Sequence, residues 1–285
     1  MTHSKSTNRP FRDESLHIAQ LNCGGLTQSK KIELIKIINS NHIDVFFLME
    51  ANKKKADLDK YIFPGYSLHL LEKSRQVASG ILIEIRNALS IDFKIVKQMG
   101  DSEDKMELIN LNISKAVNYF SIYAVYNPPT NKPNIDFINV HRKTIIIGDF
   151  NAPSKHWGFN VITPPGQLVE NFLNSTQMEL FYRPTYPPTF LHYSGKGTNP
   201  DLLLVSSDIS DTTTQKVIED PGSGHRIVIA SIKLSTQNTQ KSKPRLLWNF
   251  TKCNWSTYAE GNINFEQHPN RICDEARNII LTAAK

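Results

Sequence analysis

Ile145-Ile146-Ile147-Gly148-Asp149-Phe150-Asn151-Ala152 runs three β-branched residues into a glycine, then sets a carboxylate and an amide two residues apart. Such a run forms a buried strand. Side chains alternate faces along extended chain, so Asp149 and Asn151 point one way and Phe150 points into the core. An acceptor able to hold a water then stands beside a donor able to hold an oxyanion, the pair that phosphodiester hydrolysis requires. Asp and Asn are also ordinary turn formers after a strand. This stretch alone does not decide between the two.

Polar residues end other apolar runs in the same manner. His17-Ile18-Ala19-Gln20-Leu21 leads to Asn22 and then Gly24-Gly25. Val45-Phe46-Phe47-Leu48-Met49 leads to Glu50, and Phe120-Ser121-Ile122-Tyr123-Ala124-Val125 leads to Tyr126 and Asn127-Pro128-Pro129. Asp201 and His225 instead stand just ahead of apolar runs. Between antiparallel neighbours, the end of one strand lies beside the start of the next. Asn22, Glu50, Tyr126, Asp149, Asn151, Asp201 and His225 are therefore expected on one rim.

Around these anchors helical and extended signals alternate, as an α/β sandwich requires. Residues 28–41 carry an apolar stripe of Ile32, Leu34, Ile35, Ile37 and Ile38, with Thr27 or Ser29 as cap, and predict a helix that crosses between two parallel strands. Extended segments at 80–86, 91–97, 106–113 and 119–126 predict an antiparallel meander. A weak helix is expected at 134–140 and a firmer one at 167–177, with Leu168, Phe172 and Leu173 inward. Two strands around Asp201 and His225 close the core.

Residues 1–15 read as a disordered leader, residues 16–234 as the folded domain, and residues 235–285 as a polar linker and short helical tail. The net charge of +6 favours a polyanionic partner over a membrane or a small neutral substrate, and no apolar run reaches membrane-spanning length. Three cysteines without paired ligand spacing favour a reduced intracellular protein lacking structural zinc.

The ordered set Gln20-Leu21-Asn22, Glu50, Tyr126-Asn127-Pro128-Pro129, Gly148-Asp149-Phe150-Asn151-Ala152, Asp201 and Ser223-Gly224-His225 resembles the endonuclease/exonuclease/phosphatase superfamily. Within it the chain looks most like the endonuclease domain of jockey-type non-LTR retrotransposons. That branch is favoured by Ser154-Lys155-His156-Trp157-Gly158, Pro184-Thr185-Tyr186-Pro187-Pro188-Thr189-Phe190 and Pro244-Arg245-Leu246-Leu247-Trp248-Asn249-Phe250. The last resembles the segment joining such a nuclease to a reverse transcriptase.

The resemblance implies a four-layered α/β sandwich: two mixed, mostly antiparallel sheets packed face to face, with helices outside. It implies a nuclease that nicks one strand of double-stranded DNA and leaves a 3′ hydroxyl. Glu50, helped by Asn22, would hold Mg²⁺, with Mn²⁺ as the alternative ion. Asp149 would orient or deprotonate the attacking water, Asn151 would donate to a non-bridging oxygen, and Tyr126 would contact the phosphate. Asp201 would fix the tautomer of His225, the acid–base catalyst or charge stabiliser. Further implied partners are an element RNA and a reverse transcriptase domain absent from this chain, which is then a fragment or truncated copy. The implied compartment is the nucleus.

Two positions depart from the family pattern. Gly224 stands where an aspartate commonly precedes the histidine, and Gly24 stands where the repair endonucleases carry an acid. The first supports an alternative reading, a catalytically inactive remnant that only binds nucleic acid. A superfamily phosphatase acting on inositol phosphates or sphingolipid head groups is the other alternative.

Overall fold

A computed structural model describes residues 15–100 and 103–234. In chain order the strands are β1 (Ser15–Asn22), β2 (Val45–Met49), β3 (Tyr66–Leu71), β4 (Ile81–Arg86), β5 (Ser90–Lys97), β6 (Glu107–Lys115), β7 (Asn118–Tyr126) and β8 (Thr144–Asp149). They are followed by β9 (Met178–Leu180), β10 (Phe190–Leu191), β11 (Gly197–Thr198), β12 (Asp201–Ser206), β13 (Thr213–Ile218) and β14 (Ile227–Lys233). The helices are α1 (Gln28–Ser40), α2 (Pro164–Ser175) and the single turn α3 (Ser207–Ser210). The leader and tail segments read from the sequence lie outside the described residues, apart from Ser15, which opens β1.

Two six-stranded sheets result, ordered β13-β14-β1-β2-β4-β3 and β5-β6-β7-β8-β12-β9, and β10-β11 form a separate hairpin. Each sheet has a single parallel pair, β1 with β2 and β7 with β8, and is otherwise antiparallel.

Strand alternation divides the apolar residues among three cores. Val45, Phe47 and Met49 of β2 meet Ile145 and Ile147 of β8 between the sheets. The opposite face of β2, Phe46 and Leu48, packs on Leu34 and Ile38 of α1. The opposite face of β8, Ile146, packs with Phe150, Trp157 and Val169 of α2. Helix, sheet, sheet and helix thus stack in the four layers expected. Each fully buried aliphatic or aromatic side chain contributes about 1.5–3 kcal/mol.

Local chemistry sets the ends of the helices. Thr27 caps α1, its hydroxyl accepting from Lys30 N at 3.2 Å, and Thr163 caps α2, accepting from Gly166 N at 3.3 Å with Pro164 in the first turn. The α1 stripe is narrower than its composition suggests, since Ile32 is 60% exposed while Leu34 and Ile38, four apart, are buried.

Four expectations are corrected. The meander is broken between β4 and β5: β4 pairs with β2 and β3 in the first sheet, whereas β5, β6 and β7 pair in the second. The helix expected at 134–140 is only a 3-10 turn, Ile135–Phe137, because Asn134 ties Asp136 N at 3.0 Å in a local turn. Helix α2 begins earlier than expected, at Pro164. Phe172 and Leu173 pack half-buried on the core as expected, beside the buried Val169 and Glu170, but Leu168 is exposed. Among the described residues no helix is long and apolar enough to cross a membrane.

Candidate active site

Strand pairing brings the polar termini together. In register, Asp149 at the end of β8 stands opposite Tyr126 at the end of β7 and opposite Asp201 at the start of β12. Gly148 makes this approach possible, because a Cβ there would lie 2.0 Å from Val125 O. Asn22 and Glu50 arrive from the first sheet, at the ends of the parallel pair β1 and β2.

One amide joins the two sheets at this rim. Asn22 Nδ2 donates to Glu50 Oε1 and to Asp149 Oδ2, each at 2.8 Å. Asn22 Oδ1 accepts from Gly24 N at 3.1 Å, and Ser223 Oγ donates to Asn22 O at 2.8 Å, tying the loop ahead of His225 to the end of β1.

Asp201 is buried and divides its oxygens between two partners. Oδ2 lies 2.9 Å from His225 Nδ1, and Oδ1 accepts from Gln20 Nε2 at 2.9 Å. Burial on its own would lower the His225 pKa, but Asp201, by charge and hydrogen bond, outweighs it and the value is raised to about 9. His225 is held cationic at neutral pH, with Nδ1 engaged and Nε2 left for the cleft it lines.

Asp149 is fully buried, and its pKa is raised by burial first and by the charge of Asp201 second. Its Oδ1 accepts from Asn151 N at 3.2 Å. Asn151 adopts a left-handed φ of 42°, which ends the strand, and its Nδ2 donates to Asn127 O at 3.0 Å. Asn127 is buried and donates in turn to Phe150 O at 2.8 Å, so one side-chain amide pins the segment that presents the next.

Asn22, Glu50, Asp149, Asn151 and His225 line one cleft of about 320 Å³, walled in part by Phe159, Phe190 and Pro129. Asp201 sits behind His225 within bonding distance. Tyr126 lies deeper: it is buried between the sheets with its hydroxyl beside Glu50, and burial foremost, then the Glu50 carboxylate, raise its pKa far above the ordinary value. Six of the seven residues read from the sequence thus stand on or directly behind the cleft, and Tyr126 lies beneath it.

The donor set suits a hard cation. Atoms of Asp149, Asp201 and His225 lie within 4.8 Å of one another. His225, however, is cationic and bonded to Asp201, which leaves the carboxylates of Glu50 and Asp149 on the cleft as the oxygens that would face a cation. Carboxylate and amide oxygens of this kind are the ligands of Mg²⁺ or Mn²⁺.

Gly224 has a local cause. Its φ is +84°, and a Cβ would lie 2.9 Å from Cε2 of Phe190, whose ring packs 4.7 Å from the His225 ring. Asp220 holds the amides of Gly222, Ser223 and Gly224 at 2.7, 2.7 and 2.9 Å, so the loop ahead of His225 is built around glycine. Gln20 received no role from the sequence beyond its place in the resemblance. A buried amide two residues before Asn22, on the same strand face, was the available signal.

A family model described as "Endonuclease-reverse transcriptase" matches residues 120–229, the span holding Tyr126, Asp149, Asn151, Asp201 and His225. No curated protein sequence matches significantly. Among solved structures the chain is similar to the endonuclease domain of TRAS1, a telomere-specific non-LTR retrotransposon, at a TM-score of 0.59 and 17% identity over 77% of this chain and 99% of that one. The chain has the endonuclease/exonuclease/phosphatase fold. Similarity to the AP endonuclease LMAP of Leishmania major (TM-score 0.60, 14% identity, 78% of this chain and 89% of that one) rests on the same fold. So does similarity to an endonuclease/exonuclease/phosphatase from Bacteroides vulgatus (TM-score 0.54, 13% identity, 78% and 99%). The resemblance read from the sequence is thereby met both by the fold and by the family model.

Proposed function

We propose that this chain is a divalent-cation-dependent endonuclease that hydrolyses one phosphodiester bond of double-stranded DNA, as in target-site nicking by non-LTR retrotransposons. The observation that carries the reading is the His225–Asp201 pair at 2.9 Å in one cleft with Asp149 and Asn151, with Asn22 bonded to both Glu50 and Asp149. The family model and the TRAS1 similarity support the retrotransposon assignment.

Glu50 would hold Mg²⁺ or Mn²⁺, with Asn22 orienting its carboxylate through Nδ2, since both oxygens of Asp201 are already engaged by Gln20 and His225. The ion supplies positive charge at the phosphate. Asp149 accepts a proton from the attacking water, a role suited to a carboxylate whose pKa is raised toward neutrality. The second N–H of Asn151 Nδ2 donates to a non-bridging oxygen. His225, held as imidazolium by Asp201, places Nε2–H against the phosphate, as charge stabiliser or proton donor. Tyr126, buried beneath the cleft beside Glu50, would support that carboxylate rather than reach the phosphate. Water adds to phosphorus, the P–O3′ bond breaks, and the 3′ oxygen leaves with a proton.

A DNA substrate would put the activity in the nucleus, and an element RNA and a reverse transcriptase domain are the partners that would use the freed 3′ hydroxyl. Conversion of supercoiled plasmid to open circle tests the reading. Nicking that needs Mg²⁺, stops with chelator and is lost in Glu50→Ala supports it. Phosphate release from inositol phosphates while plasmid stays intact would replace it with a phosphatase. Salt-dependent plasmid binding without turnover would make the protein an inactive binder.

A further inference from the structure

Glu50 sits in an irregularity of the β2–β4 pair. Leu48 stands opposite Leu82, but pairing resumes with Ala51 N donating to Gly80 O and Asn52 N donating to Ser79 O, each at 3.0 Å. The segment after Met49 therefore carries one extra residue, a β-bulge that re-aims a side chain. Glu50 and Asn52 both take left-handed φ, 51° and 58°.

The bulge turns its carbonyls away from β4. Glu50 O accepts from Gly25 N at 2.8 Å, and Ala51 O accepts from Leu26 N at 3.1 Å, both on the side of Asn22. The Gly80 amide is left without an acceptor on this pair. Glu107 supplies one: its two oxygens lie 3.0 and 2.8 Å from Gly80 N. Glu107 is wholly buried, opens β6 in the other sheet and stands opposite Tyr126. Gly80 itself is tightly seated, since a Cβ there would lie 3.0 Å from Lys73 N and 3.1 Å from Leu71 O.

We propose that Glu107 is a positioning residue of the site: its carboxylate reaches from the second sheet to fix Gly80, and the Gly80–Ala51 bond holds Glu50 in its cleft-facing, bulged conformation. This inference rests on the nuclease reading above. Glu107 touches neither the cleft nor the substrate, so its effect falls on cation binding and turnover rather than on DNA affinity.

The test measures Mn²⁺ binding by electron paramagnetic resonance, the KM and kcat of plasmid nicking, and folding by circular dichroism, for the full chain and two variants. Outer partners of metal ligands typically carry roughly 10–100-fold in affinity or activity. Glu107→Leu is expected to lose about that much in Mn²⁺ affinity and in kcat, with KM for DNA little changed. Glu107→Gln, which keeps one acceptor oxygen, is expected to fall between Glu107→Leu and wild type. A folded Glu107→Leu with wild-type Mn²⁺ affinity and kcat overturns the proposal. If Glu107→Leu does not fold, Glu107→Ala, which also removes the acceptor of Gly80 N, takes its place: a loss supports the role and wild-type values overturn it. Wild-type protein that neither binds Mn²⁺ nor nicks DNA overturns the nuclease reading, and the positioning role with it.

Discussion

His225 Nδ1 lies 2.9 Å from Asp201 Oδ2, and this bond holds a half-buried histidine as a cation. The pKa of His225 is raised from 6.5 to about 9: burial opposes the charge, and the Asp201 carboxylate prevails. A raised pKa contributes stability that is complete below the unfolded value and is lost as pH rises through the folded one. The stability difference between wild type and His225→Ala is therefore largest near pH 6 and shrinks by ~1–3 kcal/mol on reaching about pH 9.5. Denaturant melts at the two pH values check this, and a difference independent of pH contradicts it. An NMR titration of the His225 ring should give a midpoint well above 6.5 in wild type and a lower one in Asp201→Asn.

Gln20 donates to the oxygen of Asp201 that His225 does not use, at 2.9 Å. Gln20→Leu removes that donor with little change in volume and leaves Asp201 Oδ1 buried and unpaired, which costs about 1–3 kcal/mol in the pair's environment. The expected result is a roughly 10-fold or larger fall in kcat, with the His225 midpoint displaced. An unchanged midpoint and rate would reduce Gln20 to packing.

Restoring the family's aspartate at position 224 should do harm. A side chain there meets Phe190 and must adopt the left-handed φ of +84°. Gly224→Asp is expected to lose about 1–2 kcal/mol of stability from the backbone alone, and to nick more slowly because the Phe190–His225 contact is displaced. Melting temperature and nicking rate are the measurements. A gain in both would show that the glycine is a lesion.

Gly148→Ala tests how closely β7 and β8 must approach. The added methyl would meet Val125 O at 2.0 Å, so the rim residues Asp149 and Tyr126 must separate. Destabilisation of about 2 kcal/mol or more is expected, together with loss of nicking in whatever fraction folds. Chemical denaturation curves report the first and plasmid assays the second.

What the sequence made legible was the strand ends. Apolar runs stopping at Asn22, Glu50, Tyr126 and Asp149 mark positions that parallel and antiparallel pairing must bring to one edge, and the rim followed from that. The sheet boundary was not legible, because β4 and β5 both read as extended chain and only their partners place them in different sheets. Edge strands β3 and β13 escaped notice because a strand with one neighbour need not be apolar on both faces, as Thr213-Thr214-Gln215-Lys216 illustrates. Glu107 gave no signal at all: a glutamate opening a strand looks like a solvated end until the opposite sheet is in place. Tyr126 was identified by its neighbours Asn127-Pro128-Pro129, but its depth depends on Asp149 and Glu107 standing on either side.

On the proposed reading, His225 acts on a DNA phosphate from its seat on Asp201. The most direct test is the rate at which wild type and His225→Ala convert supercoiled plasmid to open circle at saturating Mg²⁺. A fall of roughly 10²–10⁴-fold, in a variant that still binds plasmid, is the expected result. Equal rates for the two proteins would contradict it.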